Sequence, residues 1–305
     1  MGGAPLPPLA EECIASWKEH MPSWQIMRWD EASLTQALNQ PNPNPCPKGK
    51  GEQPNPDNVL RTATDSPSEQ SSSPVKGRTL KQFSVQSQDT HSWLEHMPVY
   101  VRQAYEARKF AFVSDYVRLW ALEQYGGLYM DVDFRVYRPL DDLMDKYPAF
   151  AGYEGSKRQP VMQGVIASEP HGAWVRDMLQ TYENRTFIKP DGSLDLTPNT
   201  AYFTDRLEAQ GFVADGVEKD FFREESSSAQ SLITNHQSPF YLHVFPVHYF
   251  CPVLTTGEDV RNAETYCEHM GESSWAQSSW KSRLLRHLSP AWRTRLIKLK
   301  RKILG

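Results

Sequence analysis

The chain has 305 residues, of which 39% are hydrophobic, so it is long enough to bury a core of its own. Its formal net charge of −4 gives no reason to expect a nucleic-acid partner. No apolar run approaches the roughly 18 to 20 residues that cross a bilayer, and no charged-then-apolar leader opens the sequence. We therefore expect a cytoplasmic protein, with a lost N-terminal anchor to a secretory compartment as the alternative.

Residues 1–39 are predicted to form the N-terminal part of the folded domain. A loop rich in glycine and proline leads into a predicted helix over Glu11–His20, whose apolar side includes Cys13. The alternation over Ser23–Asp30 then predicts a strand. The four cysteines fit no zinc pattern and are expected to stay reduced; they are Cys13, Cys46, Cys251 and Cys267.

Residues 40–90 have a different composition. They are rich in proline, asparagine, serine and glycine and contain few large apolar side chains. Such a segment cannot bury enough surface to offset its chain entropy. The sequence therefore predicts a disordered insertion between the N-terminal part and a core over residues 91–280.

The central stretch of that core changes from a helical to a strand pattern. Apolar residues recur at helical spacing over Phe110–Tyr125, and Asp115 and Arg118 lie three apart on another face. Gly126-Gly127 provides a helix stop, because glycine adopts the left-handed conformation at little cost.

After the glycines, the residues alternate as in a strand. Leu128, Met130 and Val132 are predicted to face the core, opposite a tyrosine and two carboxylates; these three polar residues are Tyr129, Asp131 and Asp133. Two adjacent carboxylates repel unless a cation lies between them, which favours a divalent metal, Mn²⁺ or Mg²⁺, shared with phosphate. A solvated turn is the alternative for an isolated Asp-x-Asp tripeptide.

The residues from Phe112 to Leu119 and from Tyr125 to Asp133 resemble the signature of the glycosyltransferases with a sugar-binding Asp-x-Asp motif. That group includes α-1,6-mannosyltransferases, lactosylceramide α-galactosyltransferases and capsular polysaccharide synthesis enzymes. The resemblance implies an α/β, GT-A-type nucleotide-sugar-binding mixed sheet flanked by helices, in a single domain with the disordered insertion. It also implies a first strand before the N-terminal loop, which we expect to be missing here.

The same resemblance implies roles for individual residues. Asp115 and Arg118 would contact the donor sugar, and Tyr129 and Asp131 would contact the ribose or the sugar. Asp133 would hold the metal that bridges the diphosphate, so Asp131 and Asp133 are the predicted catalytic pair.

Beyond the motif, the patterns predict alternating strands and helices. The predicted elements are a helix from Asp141, strands over Ala149–Glu154 and Gln163–Ser168, helices over His171–Tyr182 and Ala201–Gln210, and a strand within Tyr241–Pro252. Thr197–Thr200 is the predicted N-cap of the Ala201 helix. Gln163 and Gly164 are candidates for donor or acceptor contact, because donor and acceptor meet in this region in enzymes of this fold.

The stretch Tyr266–Trp275 resembles the closing motif of the family. His269 is predicted near the diphosphate or metal and Trp275 over the nucleotide. Glu272 and Ser274 are alternative oxygen ligands, since one carboxylate cannot fill a six-coordinate site.

Residues 281–305 form a basic amphipathic tail, in which apolar residues recur at helical spacing among lysines and arginines. This pattern indicates either peripheral attachment to an anionic surface on the inner membrane face or a solvated terminal helix.

For the whole chain, the sequence supports two hypotheses. One is a metal-dependent, retaining hexosyltransferase that joins a nucleotide-sugar donor to a glycan or lipid-linked acceptor in cell-surface polysaccharide synthesis. The other is a catalytically inactive relative that binds nucleotide sugar or glycan.

Overall fold

The computed structural model describes residues 5–39, 92–155, 160–223, 240–254 and 256–270. Within these ranges the helices are α1 (Pro8–His20), α2 (Glu31–Asn39), α3 (Val99–Glu106), α4 (Phe110–Tyr125), α5 (Asp141–Lys146), α6 (Ala173–Gln180), α7 (Asn199–Glu208) and α8 (Val247–Phe250). The strands are β1 (Gly127–Met130), β2 (Phe134–Val136), β3 (Ala149–Gly152), β4 (Val165–Ser168), β5 (Lys219–Arg223), β6 (Phe240–Phe245) and β7 (Cys267–His269). A 3-10 helix covers Ser92–His96.

Five of these strands form one mixed sheet in the order β1-β4-β3-β6-β5. Only the β3–β6 pair is parallel among the described strands, and the other pairs are antiparallel. Helices α4 and α6 pack against each other, and their buried side chains share one hydrophobic cluster with those of β6. The predicted mixed α/β architecture is therefore confirmed.

A second, two-stranded sheet pairs β2 with β7 in antiparallel register. Helix α1 packs on β2, where Trp17 Nε1 donates to the Phe134 carbonyl at 2.7 Å and Ser16 Oγ accepts from the Val136 N–H at 3.0 Å. This pairing brings residues near 134 and residues near 268 together, although more than 130 positions of sequence separate them. The N-terminal helix therefore supports the strand that directly follows Asp133.

The predicted helix stop at the two glycines is confirmed. Helix α4 ends at Tyr125, and Gly126 follows with a φ of 64° and donates its N–H to the Leu122 carbonyl. A Cβ at position 126 would lie 2.5 Å from Pro170 Cδ, so this position requires glycine for space as well as for conformation.

The predicted strand over Ser23–Asp30 is wrong. These residues run without a strand partner in the described chain and lead into α2, which the sequence analysis did not predict. Their aromatic side chains have other contacts: Trp24 Nε1 donates to Asp141 Oδ1 at 3.0 Å, and the Trp29 ring packs edge-on against Trp120 at 5.3 Å. The alternation of large residues reflects these contacts and does not reflect a sheet.

Helix α7 begins two residues earlier than predicted. It starts at Asn199, after Pro198 in extended conformation, and no side chain caps its N-terminus. Thr200 therefore lies inside the helix, and the predicted N-cap over Thr197–Thr200 is wrong. Proline favours this start because its missing N–H is not needed before the first turn.

Three of the cysteines, Cys13, Cys251 and Cys267, are buried free thiols, and Cys46 lies outside the described residues. The predicted insertion over 40–90 and the tail over 281–305 also lie outside the described residues. Within the described ranges, no helix combines the length and the apolar composition that a membrane span requires.

Candidate active site

The Asp-x-Asp motif lies in a turn between the two sheets. Strand β1 ends at Met130, so the prediction that the strand continues to Asp133 is wrong. The Asp131 N–H donates to the Gly164 carbonyl at 2.8 Å, and the Asp131 carbonyl accepts from the Phe134 N–H at 3.1 Å. Val132 is 43% exposed and does not face the core as predicted. The turn replaces strand alternation and directs the two aspartates to different partners.

Asp131 belongs to a network around a buried arginine. Arg118 Nη2 lies 2.9 Å from Asp115 Oδ1 and 3.4 Å from Asp131 Oδ1. The Tyr129 hydroxyl donates to the same Asp131 oxygen at 2.5 Å, and its ring faces the guanidinium at 4.8 Å. Four residues that the resemblance assigns to donor binding therefore converge at one place.

The charges in this network are unbalanced. Burial raises the pKa of Asp115 to about 6, and the charge of Asp131 adds to that rise against the attraction of Arg118 and Arg185. Burial opposes the charge of Arg118, yet Asp131, Tyr129 and Asp115 hold the pKa of its guanidinium above the ordinary value. Asp115 and Asp131 share their direct contact with one arginine, Arg118, while Arg185 attracts Asp115 without a direct ion pair, so a cation near the network would stabilise the ionised carboxylates.

Asp133 pairs with the closing motif. His269 Nε2 lies 3.0 Å from Asp133 Oδ2, and the Asp133 carbonyl accepts from the Met270 N–H at 2.8 Å. The His269 ring stacks on Phe134 at 4.8 Å, and the β2–β7 pairing sets Phe134 opposite His269. Burial lowers the pKa of His269, but its hydrogen bond and attraction to Asp133, together with the charge of Asp131, leave that pKa above the ordinary value.

Glu154 is a further carboxylate beside this pair, and the sequence analysis gave it no role. It follows β3, and its N–H donates to the Pro160 carbonyl at 2.8 Å. Burial raises the pKa of Glu154, and the charge of His269 opposes that rise. Sequence patterns place Glu154 at a strand end but do not show that it approaches His269, which comes more than 100 residues later.

Gln163 lies next to Arg118 in the floor of the site. It is 1% exposed, and its carbonyl accepts from Arg118 Nη1 at 2.9 Å. Its side-chain Oε1 accepts from Asn199 Nδ2 at 2.7 Å, whereas its Nε2 has no hydrogen-bond partner among the described residues. A buried amide nitrogen without a partner is costly unless a ligand satisfies it.

Gly164 provides the space for the motif turn. A Cβ at this position would lie 2.6 Å from Phe134 Cε2 and 3.1 Å from Asp131 Oδ2. Any side chain here would displace the motif or the ring on which His269 stacks. Gly164 is therefore required for close packing, and its carbonyl anchors the motif backbone.

Arg185 lies in an aromatic box behind the network. Its Cζ is 3.6 Å from the ring centroid of Tyr202, 4.4 Å from that of Tyr100 and 4.9 Å from that of Tyr182, and its Nη2 lies 3.5 Å from Asp195. The tyrosine faces attract the cation and hold it in place. The box joins α3 and α7, which carry Tyr100 and Tyr202, to Tyr182 after the end of α6.

The structure brings Asp115, Arg118, Tyr129, Asp131 and Gln163 together, and it places Asp133 beside His269. Trp275, Glu272 and Ser274 lie outside the described residues. Asn199 and Glu154 are site residues that the sequence analysis missed. The only sequence signal at Asn199 is the Pro198–Asn199 helix start, which does not show that Asn199 contacts Gln163.

A carboxylate and an imidazole can both be ligands of a divalent cation, and Asp133 with His269 provides that pair at 3.0 Å. Among the described residues, no group of three or more His, Cys, Asp or Glu side chains is arranged to hold a metal. The pair fits a cation that takes its remaining ligands from a diphosphate or from water. Mg²⁺ is commonly held in this way, by few protein groups together with phosphate oxygens.

Comparisons with known proteins concern the part of the chain that contains the Asp-x-Asp motif. Residues 7–150 match the family described as glycosyltransferase sugar-binding region containing DXD motif. The chain is also 32% identical over 84 residues to glucan organizing enzyme 1 of Cryptococcus neoformans var. grubii. That match covers 25% of this chain and 23% of the relative, so it spans under a quarter of the relative's length. No solved structure matches significantly. Residues 7–150 therefore belong to the glycosyltransferase sugar-binding regions that contain a DXD motif.

Proposed function

We propose that the protein is a metal-dependent glycosyltransferase that moves a hexose from a nucleotide-sugar donor to a glycan or lipid-linked acceptor. The observation that carries the proposal is the motif turn, in which Asp131 faces Arg118 and Asp133 faces His269. Under this proposal, the residues on one side of the turn would bind the sugar, and Asp133 with His269 on the other side would bind the cation. A GT-A-type sheet is the fold that this proposal requires.

Asp115 and Arg118 would hold the sugar, and Asp131 with Tyr129 would hold the ribose or the sugar. The Gln163 backbone carbonyl accepts from Arg118, and its side-chain nitrogen has no hydrogen-bond partner among the described residues, so this neutral amide would donate to a sugar hydroxyl. Charged groups fixed in a buried site cost no reorganisation when the substrate binds. These residues would therefore orient the anomeric carbon for attack.

Asp133 and His269 would hold Mn²⁺ or Mg²⁺. When bound, the cation stabilises the negative charge that develops on the departing diphosphate. To hold the cation, His269 would have to release the Nε2 proton that it shares with Asp133, so the cation would replace this hydrogen bond between the two side chains. Retention of configuration, membrane attachment through the basic tail and a role in polysaccharide synthesis are finer proposals from the sequence alone.

Donor hydrolysis with manganese tests the proposal. Sugar release from UDP-glucose, UDP-galactose, UDP-N-acetylglucosamine and GDP-mannose is measured with and without Mn²⁺, together with the melting temperature. We expect Asp133→Asn to abolish sugar release while the fold stays stable, and Asp141→Asn at an exposed carboxylate to leave release unchanged. Metal-dependent binding without any sugar release would favour the inactive relative. Unchanged release by Asp133→Asn would contradict the site.

A further inference from the structure

Asn199 is the first residue of α7, and both ends of its side chain are hydrogen-bonded. Its Nδ2 donates to Gln163 Oε1 at 2.7 Å, and its Oδ1 accepts from the Tyr182 hydroxyl at 3.2 Å. Tyr182 is 2% exposed and its ring lies near Arg185. The Asn199 side chain is therefore held at both ends by groups of the protein itself.

Gln163 has a fixed backbone and a half-satisfied side chain. Its carbonyl is held by Arg118 Nη1 at 2.9 Å, and the carbonyl of the next residue, Gly164, accepts from the Asp131 N–H. Only the Asn199 amide holds its side chain among the described residues. If Asn199 donates, Gln163 must turn its oxygen toward Asn199 and its N–H₂ away, because an amide carries one oxygen and one nitrogen.

We propose that Asn199 is a positioning residue that determines sugar specificity: it fixes the Gln163 amide so that a nitrogen donor, and not an oxygen acceptor, faces one hydroxyl of the donor hexose. The proposal rests on the proposed function and extends it to how the sugar is recognised. A site that offers a donor at one position discriminates by the acceptor that the sugar places there.

The chemistry of Asn199→Asp makes the proposal testable without a large structural change. The introduced carboxylate has no N–H to give, so Gln163 must rotate its amide and donate to it. The Tyr182 hydroxyl can still donate to the carboxylate. The rotation would place Gln163 Oε1 toward the sugar and reverse the hydrogen-bonding character of the site at that position.

Nucleotide sugars with a fluorinated hexose distinguish the two orientations of the Gln163 amide. A C–F bond accepts a weak hydrogen bond but donates none, so it is compatible with an N–H and is repelled by a carbonyl oxygen. The experiment takes the best donor of the four-sugar panel and its monodeoxy and monodeoxyfluoro analogues at each hexose position. Dissociation constants are measured with Mn²⁺ by calorimetry, and the sugar-free nucleoside diphosphate serves as the reference.

At one hexose position, we expect the wild-type protein to bind the fluoro analogue more tightly than the deoxy analogue. Asn199→Asp should reverse that order at the same position. Asn199→Ala should weaken binding of the parent sugar by about three- to tenfold relative to the nucleoside diphosphate, as expected for one neutral hydrogen bond. Asn262→Asp is the control, at an exposed asparagine whose hydrogen bonds are with Glu264 and Thr265. It should change neither the fluoro-to-deoxy order nor the affinity of the parent sugar relative to the nucleoside diphosphate, and melting temperatures verify the fold of each variant.

The possible failures are distinct. If Gln163→Ala weakens sugar binding but both Asn199 variants bind as the wild type does, Asn199 does not position the amide and the inference is overturned. If Gln163→Ala also has no effect, the amide does not contact the sugar, and the inference fails while the glycosyltransferase proposal stands. If the wild-type protein binds none of the nucleotide sugars, the proposed function fails and the inference fails with it.

Discussion

Replacing Asp115 by asparagine should stabilise the folded protein at neutral pH while it weakens donor binding. Asp115 lies 2.9 Å from Arg118 with 16% of its side chain exposed, and burial raises its pKa from 3.8 to about 6. A rise of about 2 pKa units corresponds to about 3 kcal/mol. The attraction to Arg118 is already included in that net value, so the ionised carboxylate still costs the folded state.

The sign follows from proton counting. Between about pH 4 and pH 6 the folded protein holds a proton on Asp115 that the unfolded chain has lost, so the free energy of unfolding falls as pH rises. Above about pH 6 the full cost is present, and below about pH 4 it vanishes. Asp115→Asn stays neutral throughout. Its free energy of unfolding should therefore exceed that of the wild type by up to about 3 kcal/mol at pH 7.5 and equal it near pH 4.

The assay is urea unfolding at both pH values, with calorimetric titration of the donor in parallel. Glu106→Gln, which removes an exposed carboxylate at the end of α3, is the matched control. The difference in its free energy of unfolding from that of the wild type should be the same at both pH values. We expect donor affinity to fall about tenfold or more in Asp115→Asn, as for loss of a charged hydrogen bond. A variant that is less stable than the wild type at pH 7.5, or equally stable at both pH values, would refute the reasoning.

Three further changes probe separate parts of the site and its support. Gly164→Ala would place a methyl group 2.6 Å from Phe134 Cε2, so we expect about 1–3 kcal/mol of destabilisation in urea unfolding and weaker donor binding. The raised pKa of His269 predicts that Mn²⁺ affinity increases as pH rises from 6 to 8, because the proton must leave first; His269→Ala should remove that dependence in calorimetry. In the absence of metal, His269 stabilises the fold below its unfolded pKa, and this contribution is lost at high pH. His269→Ala should therefore lower the free energy of unfolding more at pH 6 than at pH 8.5. The buried carboxylate of Asp177 accepts from two arginines and a glutamine on neighbouring elements, so Asp177→Ala should cost about 3–5 kcal/mol, and a loss under 1 kcal/mol would contradict this view.

The local part of the site could be predicted from sequence because it lies within 19 consecutive residues. Helical spacing set Asp115 and Arg118 on one face, and the glycine stop located the motif after a short strand. The position of Asp133 was not predictable in the same way. Its turn depends on the carbonyl of Gly164 and on the small sheet with β7, and neither contact has a local signal.

Contacts between residues that are far apart in the sequence explain the other features that could not be predicted. Asn199 meets Gln163 across 36 residues, and Glu154 approaches a histidine more than 100 residues away. Pairings of this length depend on how helices α6 and α7 and strand β4 stack, which periodicity does not specify. The mistaken strand over Ser23–Asp30 has the same origin, since alternation shows which side chains are large but not which surface they contact.

The charge balance links the two halves of the site. The site contains four carboxylates, those of Asp115, Asp131, Asp133 and Glu154, together with Arg118 and His269, while Arg185 also attracts Asp115. The pKa values of Asp115, Glu154 and His269 are all displaced upward. Burial is the largest cause of the shift for the two acids, and attraction to the carboxylates raises the pKa of His269; a nearby cation would stabilise the ionised carboxylates in either case. A divalent cation between the motif and His269 would supply that charge, and a diphosphate would then be attracted to it. The buried carboxylates would therefore assist cation binding, and the bound cation would in turn favour binding of the nucleotide sugar.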